Sequence, residues 1–362
     1  MKKNYLLYTI VTEWNEPPRA RHQIANELKK DGVVYFLEKN KTGTPRIVIS
    51  HPEENVYVIT PYFWLDYRIR YRTPIINEFY HKWLLNKIKN LNISFEMVFN
   101  FDYTASVINT FYDNVIFYIA DDNIGFGNFN PGWVNRYHMR TEKKVSATSR
   151  MCIVTSDYMF RKISAYQPRT YNIPLGAPEI KLKEIIIREK KDPLPILGLV
   201  GYLDSNLDEL LLDTLLKKFK IHFIGPASKE TINKMEQYEN ALMLGPKTGE
   251  DLYQALQHVD VCIAPYDLKK INKGATPNKL WLYLAMGRPS VITKIPNIES
   301  WKFEEDLVYI CENKDFEINC IEAYLRDNAT LYQKRIVAAS NSSWNKRIEQ
   351  IKVLFYNSLS SN

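Results

Sequence analysis

Short hydrophobic segments alternate with amphipathic ones along almost all of this 362-residue chain. In the first half, seven segments rich in β-branched and aromatic residues predict strands, at 5–11, 32–38, 46–50, 56–60, 95–101, 114–120 and 151–156. The longer segments between them carry apolar residues at helical spacing. Near-continuous hydrophobic strands separated by helices predict the α/β class, with a mostly parallel sheet covered on both faces.

The same alternation restarts after a charged, proline-containing stretch at 181–195, KLKEIIIREKKDPLP, which is the best candidate for a linker. We therefore predict two Rossmann-like domains with mostly parallel sheets facing across a cleft. The N-terminal domain is predicted over 1–180 and the C-terminal domain over 181–345. The last segment, 346–362, is amphipathic and is predicted to pack back on the N-terminal domain.

Composition excludes several classes of protein. No apolar run approaches the ~20 residues that span a bilayer, and the short apolar run at the N-terminus favours a buried strand over a signal peptide. The four cysteines are widely spaced and form no metal-binding pattern, which predicts reduced residues in a cytoplasmic protein. No zinc finger, RNP motif or long basic run points to nucleic acid.

The net charge of +7 is concentrated in the first half, where residues 1–180 hold 23 Lys/Arg and 17 Asp/Glu. That half contains TPYFWLDYRIRYRTP at 60–74, in which aromatic residues alternate with Arg68, Arg70 and Arg72. Arginine and aromatic side chains together suit an anionic lipid head group or a phosphate-bearing acceptor. The alternative is a solvated loop whose aromatic residues pack inward.

Ligands of open α/β sheets bind beyond the carboxyl ends of the strands. In the second half these ends read Gly201-Tyr202, Gly225-Pro226, Gly245-Pro246 and Pro265-Tyr266, and Lys247 follows the third. Glycine at such positions lets a ligand approach the backbone, although it is also ordinary turn chemistry. Lys247 either reaches a phosphate or is solvated. No GxGxxG motif opens a helix after a strand and no GxxxxGK[ST] motif occurs, which argues against a dehydrogenase and a P-loop nucleotide hydrolase.

The stretch GATPNKLWLYLAMGRPSVIT, residues 274–293, predicts a loop, a helix and a strand. Thr276 is expected to cap the helix, and Pro277-Asn278-Lys279 to form its first turn. A cation beside free backbone N–H groups would make a good site for a diphosphate. The alternative is a capped helix with a solvated lysine.

This stretch resembles the P-x-K-x-x-E-Y-L-A-x-G-x-P-V-V segment of GT-B glycosyltransferases, in particular the teichuronic-acid type and the xanthan glucuronosyltransferase type. Further pieces in the same order strengthen the resemblance: EWNEPPRARHQIANEL, YIADD, EKKVSATSRMCIVTSDYM, LVGYLDSNLDELLL and LGPKTGEDLYQALQHVDVCIAPY. The resemblance implies that the second domain binds a nucleotide-sugar and the first binds the acceptor. It also implies that Lys279 holds the donor diphosphate and that the turns at Gly201, Gly225 and Gly245 line the nucleotide.

The resemblance further implies that an aspartate of YIADD, Asp121 or Asp122, is the general base that deprotonates the acceptor hydroxyl. Either residue could instead cap the following turn. Arg21 and His22 begin the first helix near the end of the first strand. Arg21 is a candidate for an acceptor contact, and His22 for an acceptor contact or an alternative base. Both could instead be ordinary residues of a surface helix.

Two departures from the resembled pattern concern the donor site. The Arg/Lys pair that often follows the first strand of the donor domain is missing from GYLDSNLDE. Many retaining members also carry two glutamates separated by seven residues, and here those positions hold Gly274 and Leu282. The ribose contact must then come from elsewhere, and Asp208, Glu250 or backbone groups are candidates. This change favours an inverting mechanism with an aspartate base.

The sequence therefore predicts a metal-independent glycosyltransferase without a cofactor. It would move a sugar from a nucleotide diphosphate-sugar to a glycan or lipid-linked acceptor in surface polysaccharide synthesis. We expect it in the cytoplasm, either free or peripheral at the inner membrane face, where an anionic surface would be a partner. A GT-B sugar-nucleotide epimerase and a non-catalytic scaffold that binds nucleotide-sugar or a partner transferase are the alternatives.

Overall fold

A computed structural model describes residues 2–9, 11–125, 132–180, 192–271, 274–298, 301 and 303–360. The chain forms two compact units, which we treat separately. Unit 1 comprises Met1–Leu175 and Trp344–Asn362, and unit 2 comprises Gly176–Ser343. The first change of unit lies five residues before the predicted boundary at 180/181. Most of the predicted linker, 181–191, lies outside the described residues.

The described part of unit 1 forms one sheet in the order β3-β5-β2-β1-β6-β7-β8-β9, with β4 added to β5. Among the described strands of unit 1, only β4 is antiparallel to its neighbour. The strands are β1 (Lys3–Tyr8), β2 (Gly32–Leu37), β3 (Lys41–Thr42), β4 (Arg46–Glu53), β5 (Val56–Phe63), β6 (Met97–Asn100), β7 (Val115–Ile119), β8 (Met151–Val154) and β9 (Thr170–Asn172).

Helices cover the sheet of unit 1 because the strands are apolar on both faces. Numbered along the chain, they are α1 (Ala20–Leu28), α2 (Tyr67–Arg70), α3 (Pro74–Lys89), α4 (Gly132–Thr148), α5 (Asp157–Ser164) and α12 (Trp344–Ser360). The last of these, α12, buries Trp344, Ile348, Ile351 and Phe355 in the same core cluster as Tyr5 of β1. It also contacts α1 and β8, so the C-terminal segment completes the core of unit 1.

Unit 2 is built on a sheet of six described strands in the order β12-β11-β10-β13-β14-β15, all parallel. The strands are β10 (Leu197–Val200), β11 (Ile221–Ile224), β12 (Ala241–Gly245), β13 (Val261–Ala264), β14 (Ser290–Thr293) and β15 (Val308–Cys311). The helices are α6 (Glu209–Leu216), α7 (Lys229–Met235), α8 (Gly249–Gln257), α9 (Lys279–Ala285), α10 (Phe316–Arg326) and α11 (Ala329–Asn341). In order of chain position the sheet reads 3-2-1-4-5-6, the order of the doubly wound Rossmann fold.

Both sheets are therefore mostly parallel, which confirms the predicted α/β class. All four cysteines are buried and unpaired. Across the described ranges, no helix is both long and apolar enough to cross a membrane.

Candidate functional site

The strand order of unit 2 reverses between β10 and β13, because successive strands run outward from β10 on one side and from β13 on the other. A crevice opens at such a point beyond the carboxyl ends of the two strands, and ligands of doubly wound sheets bind there. Gly201 follows β10, and Pro265-Tyr266 follows β13. Two of the predicted donor-binding positions, Gly201 and Tyr266, thus lie at the switch point.

The backbone turns after β10 and β11 pack so closely that a side chain is excluded. A Cβ atom at Gly225 would lie 1.8 Å from the carbonyl oxygen of Gly201. Gly201 itself has φ +125°, a conformation that residues with side chains rarely adopt. Gly201 N–H donates to Ile224 O at 3.0 Å and Gly225 N–H donates to Gly245 O at 2.9 Å. Glycine is therefore required at this edge by the packing of the backbone.

Lys279 lies directly against this backbone. Its Nζ atom is 3.4 Å from the position that a Cβ of Gly201 would occupy, and it lies 5.2 Å from the ring centroid of Tyr266. Burial lowers the pKa of Lys279 to about 8. Among the described residues Lys279 has no carboxylate partner, whereas the partly buried Lys162 pairs with Asp122 and Glu142. An ammonium group that has lost water and has no counter-charge is suited to bind an anion.

Tyr283 anchors α9, the helix that carries Lys279, to the switch point. It lies one helical turn after Lys279 on α9, and its hydroxyl accepts a hydrogen bond from Val200 N–H at 3.0 Å and donates one to Ile263 O at 3.2 Å. Val200 is in β10 and Ile263 is in β13, so one phenol joins both strands of the switch point to α9. Sequence reasoning missed Tyr283, although its spacing of four residues from Lys279 placed it on the same helical face.

The beginning of α9 differs from the prediction. The helix begins at Lys279, with Asn278 as its N-cap and no capping hydrogen bond from a side chain. Thr276 does not cap it, because Thr276 Oγ1 is buried without a hydrogen-bond partner. Pro277 precedes the helix, and Asn278 is exposed. Leu282 packs against a buried apolar cluster that includes Ile224 and Tyr283, so the residue that replaces the expected glutamate serves packing.

The other candidates of unit 2 lie along the same sheet edge or beside it. Tyr202 and Pro226 are exposed immediately after their glycines. Lys247 follows β12, two strands from β10, and lines a groove with Asp251 and His258 of α8 and the loop after it. Asp208 is engaged as the N-cap of α6 through Leu211 N–H and by Asn313 Nδ2 at 2.7 Å. Glu250 remains an exposed residue in the first turn of α8.

In unit 1 the strand order reverses between β1 and β6. Arg21 lies there: its guanidinium donates to Thr12 Oγ1, beyond β1, and lies 5.5 Å from the ring centroid of Phe101, which follows β6. Burial, with a smaller effect of Arg19, lowers the pKa of Arg21 to about 10. The predicted acceptor contact at Arg21 is thus a partly buried cation at the switch point.

Asp121 and Asp122 follow β7, the strand beside β6, and their surroundings differ. Burial raises the pKa of Asp121 to about 6, which the Arg21 charge opposes and the Asp122 charge supports. No described side chain donates a hydrogen bond to the Asp121 carboxylate. Asp122 accepts hydrogen bonds from Lys162 Nζ at 3.0 Å and from Gly125 N–H at 3.2 Å. Lys162 in turn pairs with Glu142 at 2.7 Å, so Asp122 belongs to a buried ion network.

His22 forms structural contacts at the start of α1. Its Nδ1 atom accepts a hydrogen bond from Arg19 N–H at 3.0 Å, which makes it part of a capping box at the start of α1. Its Nε2 atom donates to Glu13 O at 2.9 Å, and its ring stacks on Phe36. Both ring nitrogens are therefore occupied, and burial lowers the pKa of the imidazole. This geometry favours a structural role for His22 over the predicted catalytic one.

The three arginines at 68–72 do not form one surface. Arg68 and Arg72 are exposed, and Arg68 pairs with Asp66 at 2.9 Å. Arg70 is buried: its guanidinium lies 3.8 Å from the ring centroid of Tyr80 and donates to Asn77. The expectation that Arg70 belongs to an exposed acceptor-binding surface was wrong, because the short helix α2 turns this side chain inward.

A further carboxylate at the switch point escaped the sequence analysis. Asp102 follows β6 and accepts hydrogen bonds from Tyr71 OH at 2.7 Å and from Thr104 Oγ1 at 2.7 Å. His81 lies 3.7 Å away from it. Its position after a strand was a signal equal to that of Asp121. The hydrogen bonds show that it holds the segment around Tyr71 against the sheet edge.

The chain can be compared with known proteins. No known protein-family model matches the chain. A Bacillus subtilis (strain 168) protein, provisionally named as the teichuronic acid biosynthesis glycosyltransferase TuaH, is 26% identical over 167 residues. That match covers 43% of this chain and 42% of the relative, so the chain matches less than half of the relative's length.

Solved structures match over nearly the whole chain. Sucrose-phosphate synthase from Thermosynechococcus elongatus is 12% identical with a TM-score of 0.72, covering 99% of this chain and 100% of that one. Anabaena HepE in complex with UDP and glucose is 13% identical with a TM-score of 0.65, covering 100% of both chains. The catalytic domain of starch synthase IV from Arabidopsis thaliana, bound to ADP and acarbose, is 10% identical with a TM-score of 0.67 and covers 99% of both.

The chain therefore has the fold of the GT-B glycosyltransferases, as the motifs predicted. The predicted resemblance to a teichuronic-acid-type transferase is confirmed by the similarity to the Bacillus subtilis protein.

Proposed function

We propose that this protein is a metal-independent glycosyltransferase that moves a sugar from a nucleotide diphosphate-sugar to a glycan or lipid-linked acceptor in surface polysaccharide synthesis. The observation that carries the proposal is Lys279, a desolvated cation without a described counter-charge, held against Gly201 at the switch point of a GT-B fold. The similarity to a protein named for teichuronic acid synthesis supports the polysaccharide setting.

The donor would bind at the carboxyl edge of unit 2. The turns at Gly201, Gly225 and Gly245 would let the nucleotide approach backbone groups, and Lys279 would lie beside the diphosphate. When the glycosidic bond to the diphosphate breaks, negative charge grows on the leaving oxygen. A preorganised ammonium group stabilises that charge, which is why the proposal needs no metal ion. The UDP and ADP bound by two proteins of similar fold suit this assignment.

The acceptor would bind at the carboxyl edge of unit 1, with Asp121 as the general base. The Asp121 carboxylate would take the proton of the acceptor hydroxyl. At the same time the hydroxyl oxygen of the acceptor would form the bond to the anomeric carbon, and the nucleoside diphosphate would leave. A pKa of about 6 suits this role, because the carboxylate is ionised at neutral pH and still basic enough to take a proton. A single displacement of this kind inverts the anomeric centre.

Arg21 would act in the same site as an acceptor contact. Its guanidinium contributes to the electrostatics of Asp121 and lies at the switch point. Asp122 would serve the structure by holding the turn after β7 through Lys162. The protein would work in the cytoplasm, and an acceptor carried by lipid would bring it to the inner membrane face.

The first experiment is a thermal-stability panel of nucleoside diphosphates with the unmodified chain and with Lys279→Met. A bound diphosphate at 100 times its dissociation constant adds about 2.7 kcal/mol to the stability. We expect stabilisation by at least one diphosphate, and loss of it in Lys279→Met but not in the control Lys270→Met, whose lysine is exposed and paired with Glu209. Equal stabilisation of both variants would remove Lys279 from the site.

The second experiment separates a transferase from the alternatives. Radiolabelled nucleotide-sugars selected by the panel would be incubated with and without extracts that contain glycan or lipid acceptors. A transferase releases the nucleoside diphosphate when an acceptor is present. A nucleotide-sugar altered without any acceptor would instead indicate an epimerase, and binding without turnover a scaffold.

A further inference from the structure

Four large apolar side chains of one short segment in unit 1 are exposed. Trp64 is 62% exposed, Ile69 55%, Ile75 85% and Phe79 52%. The ring of Phe63, at the end of β5, lies 5.2 Å from that of Trp64 and 6.4 Å from that of Phe79, so the two exposed rings flank one buried ring. We call these four residues, with Arg68 and Arg72, the 64–79 surface. Single exposed apolar residues are ordinary, but four in sixteen residues mark an interaction surface.

The pattern of α3 explains why the apolar residues point outward. Its inner face buries Asn77, Tyr80, His81 and Leu84. Ile75 and Phe79 are one turn apart on the opposite side, and Lys82 continues that side as an exposed residue. The helix thus has a second apolar strip that the core of unit 1 leaves uncovered. In the described chain, nothing else covers it.

The exposed charge around this strip is net positive, although Arg70 is buried and Arg68 and Lys82 pair with Asp66 and Glu78. Residues 60–90 contain six Lys/Arg and two Asp/Glu. Of the basic residues, Arg68 and Arg72 lie between the exposed apolar residues, and Lys82, Lys87 and Lys89 lie further along α3 and are also exposed. An apolar strip with tryptophan and phenylalanine, bordered by basic side chains, matches the interface of a bilayer with anionic head groups.

The 64–79 surface begins at the sheet edge that carries the acceptor site. β5 is parallel to β2, and the parallel pairing continues through β1 and β6 to β7. Trp64 after β5 and Asp121 after β7 therefore follow strand ends at the same edge. Tyr71, from the middle of the segment, donates its hydroxyl hydrogen bond to Asp102 at the switch point. The exposed surface and the candidate acceptor site are thus joined through one residue.

We propose that the 64–79 surface docks on an anionic lipid bilayer and that the acceptor is a lipid-linked molecule presented there. This inference rests on the proposed function. It places the carboxyl edge of unit 1, where the acceptor would bind, at a membrane. A bilayer is favoured over a protein partner because it offers both anionic charge and a continuous apolar layer, the two properties that this surface combines. Trp64, Ile69, Ile75 and Phe79 would enter the interface, and Arg68 and Arg72 would contact head groups.

The test is sedimentation of the full chain with vesicles of phosphatidylcholine alone and with about one third phosphatidylglycerol. The apolar variant is Ile75→Ser/Phe79→Ser. The matched control is Ile318→Ser/Leu325→Ser, which changes two similarly exposed residues of α10, 65% and 63% exposed. We expect at least a tenfold loss of partitioning into the anionic vesicles for the apolar variant, and less than a twofold change for the control. Arg68→Ser/Arg72→Ser is expected to weaken binding about fivefold per charge and to reduce its salt dependence.

Three results would overturn the proposal. The first is equal partitioning of the apolar variant and its control. The second is equal binding to neutral and anionic vesicles, which would remove the electrostatic part. The third is self-association of the unmodified chain, measured by sedimentation velocity, that the apolar variant abolishes while vesicle binding is absent. That result would make the surface a protein interface.

Nucleoside diphosphate binding distinguishes this failure from a failure of the proposed function. The apolar variant changes no residue of the donor edge, so calorimetry with the selected diphosphate should give the same affinity. Vesicle binding without any diphosphate binding would overturn the glycosyltransferase proposal. Diphosphate binding without vesicle binding would overturn only the membrane proposal.

Discussion

The carboxyl edges of the two sheets carry different groups: backbone in unit 2 and side chains in unit 1. In unit 2 the edge is backbone: Gly201 and Gly225 meet so closely that no side chain fits, and the cation Lys279 lies against Gly201. In unit 1 the edge carries side chains: Arg21, Asp102 and Asp122 are hydrogen-bonded to different neighbours, whereas no described side chain donates a hydrogen bond to the Asp121 carboxylate. Similar doubly wound sheets thus present two unlike surfaces.

The difference suits the two substrates that we propose. A nucleoside diphosphate offers phosphate oxygens and flat ring edges, which backbone N–H groups and one cation can bind. An acceptor hydroxyl must be deprotonated, and the backbone supplies no group that can take a proton. Chemistry therefore requires side chains at one edge, and close approach requires their absence at the other.

The largest expected effect tests whether Asp121 alone carries the chemistry of unit 1. Asp121→Asn should lower turnover by about 100- to 10,000-fold, the usual contribution of a general base. It should also raise the free energy of unfolding at pH 7–8 by about 1–3 kcal/mol, because folding raises the pKa of this carboxyl and its ionised form is therefore disfavoured in the folded state. Turnover assays and chemical denaturation measure the two quantities.

Asp122→Asn is the matched control for that prediction. It should lower the free energy of unfolding by about 1.5–3 kcal/mol, since a charged hydrogen bond to Lys162 is weakened. Opposite signs of the stability change in the two variants would confirm the division of roles. Near-normal turnover of Asp121→Asn would place the base elsewhere.

The second prediction tests whether the edge of unit 2 excludes side chains. Gly225→Ala should lower the free energy of unfolding by about 3 kcal/mol, since its Cβ would meet the Gly201 carbonyl at 1.8 Å and the backbone must move. Gly245→Ala is the comparison: no atom lies within 4 Å of its Cβ position, and only its φ of +66° opposes the change, at about 1–2 kcal/mol. Equal losses in urea denaturation would contradict the packing argument.

The third prediction concerns Lys279, the cation that lies against Gly201 at that edge. Lys279→Met should weaken binding of the nucleoside diphosphate by about 1.5–3 kcal/mol, the usual value of a charge-assisted hydrogen bond. Isothermal titration calorimetry measures it, and Lys270→Met again serves as the control. Because the substitution also removes a desolvated charge, the protein should melt no earlier than the original. An unchanged affinity in a folded variant would exclude Lys279.

The smallest expected effect is the pH dependence of turnover and of diphosphate affinity. Turnover reports on Asp121 of unit 1, and affinity reports on Lys279 of unit 2. Turnover should rise as the pH passes about 6, where Asp121 becomes the carboxylate, and diphosphate affinity should fall above about 8, where Lys279 loses its proton. Lys279→Arg keeps its charge in that range and should remove only the alkaline decline. A decline that persists in Lys279→Arg would assign the alkaline group to another residue.

The fold and the glycine edge could be predicted because both follow from local patterns. Strand hydrophobicity, helix spacing and the glycines at the ends of β10, β11 and β12 are properties of neighbouring residues, and they led to the edge with Gly201 and Lys279. The resemblance to GT-B proteins rested on the same segments. The similarity of the solved structures confirms it over nearly the full chain.

The side-chain edge of unit 1 was less predictable because its roles depend on distant partners. Asp121 and Asp122 look equivalent in YIADD, and what separates them is Lys162, forty residues further on. His22 looked available until its two ring nitrogens were seen to bind Arg19 and Glu13. Arg70 was misjudged because an alternation of arginine and aromatic residues does not reveal which side of a four-residue helix faces the core.

The position of α12 has a consequence for how the protein is made. Unit 2 is one continuous stretch of chain, Gly176–Ser343, whereas unit 1 needs Trp344, Ile348, Ile351 and Phe355 to close its core. During synthesis the first 175 residues must therefore wait for α12, which leaves the ribosome only after unit 2. At about 5–20 residues per second the delay is roughly ten to forty seconds. The unit begun first is thus the last to finish folding, and its unfinished apolar surface is what a chaperone would meet on the nascent chain.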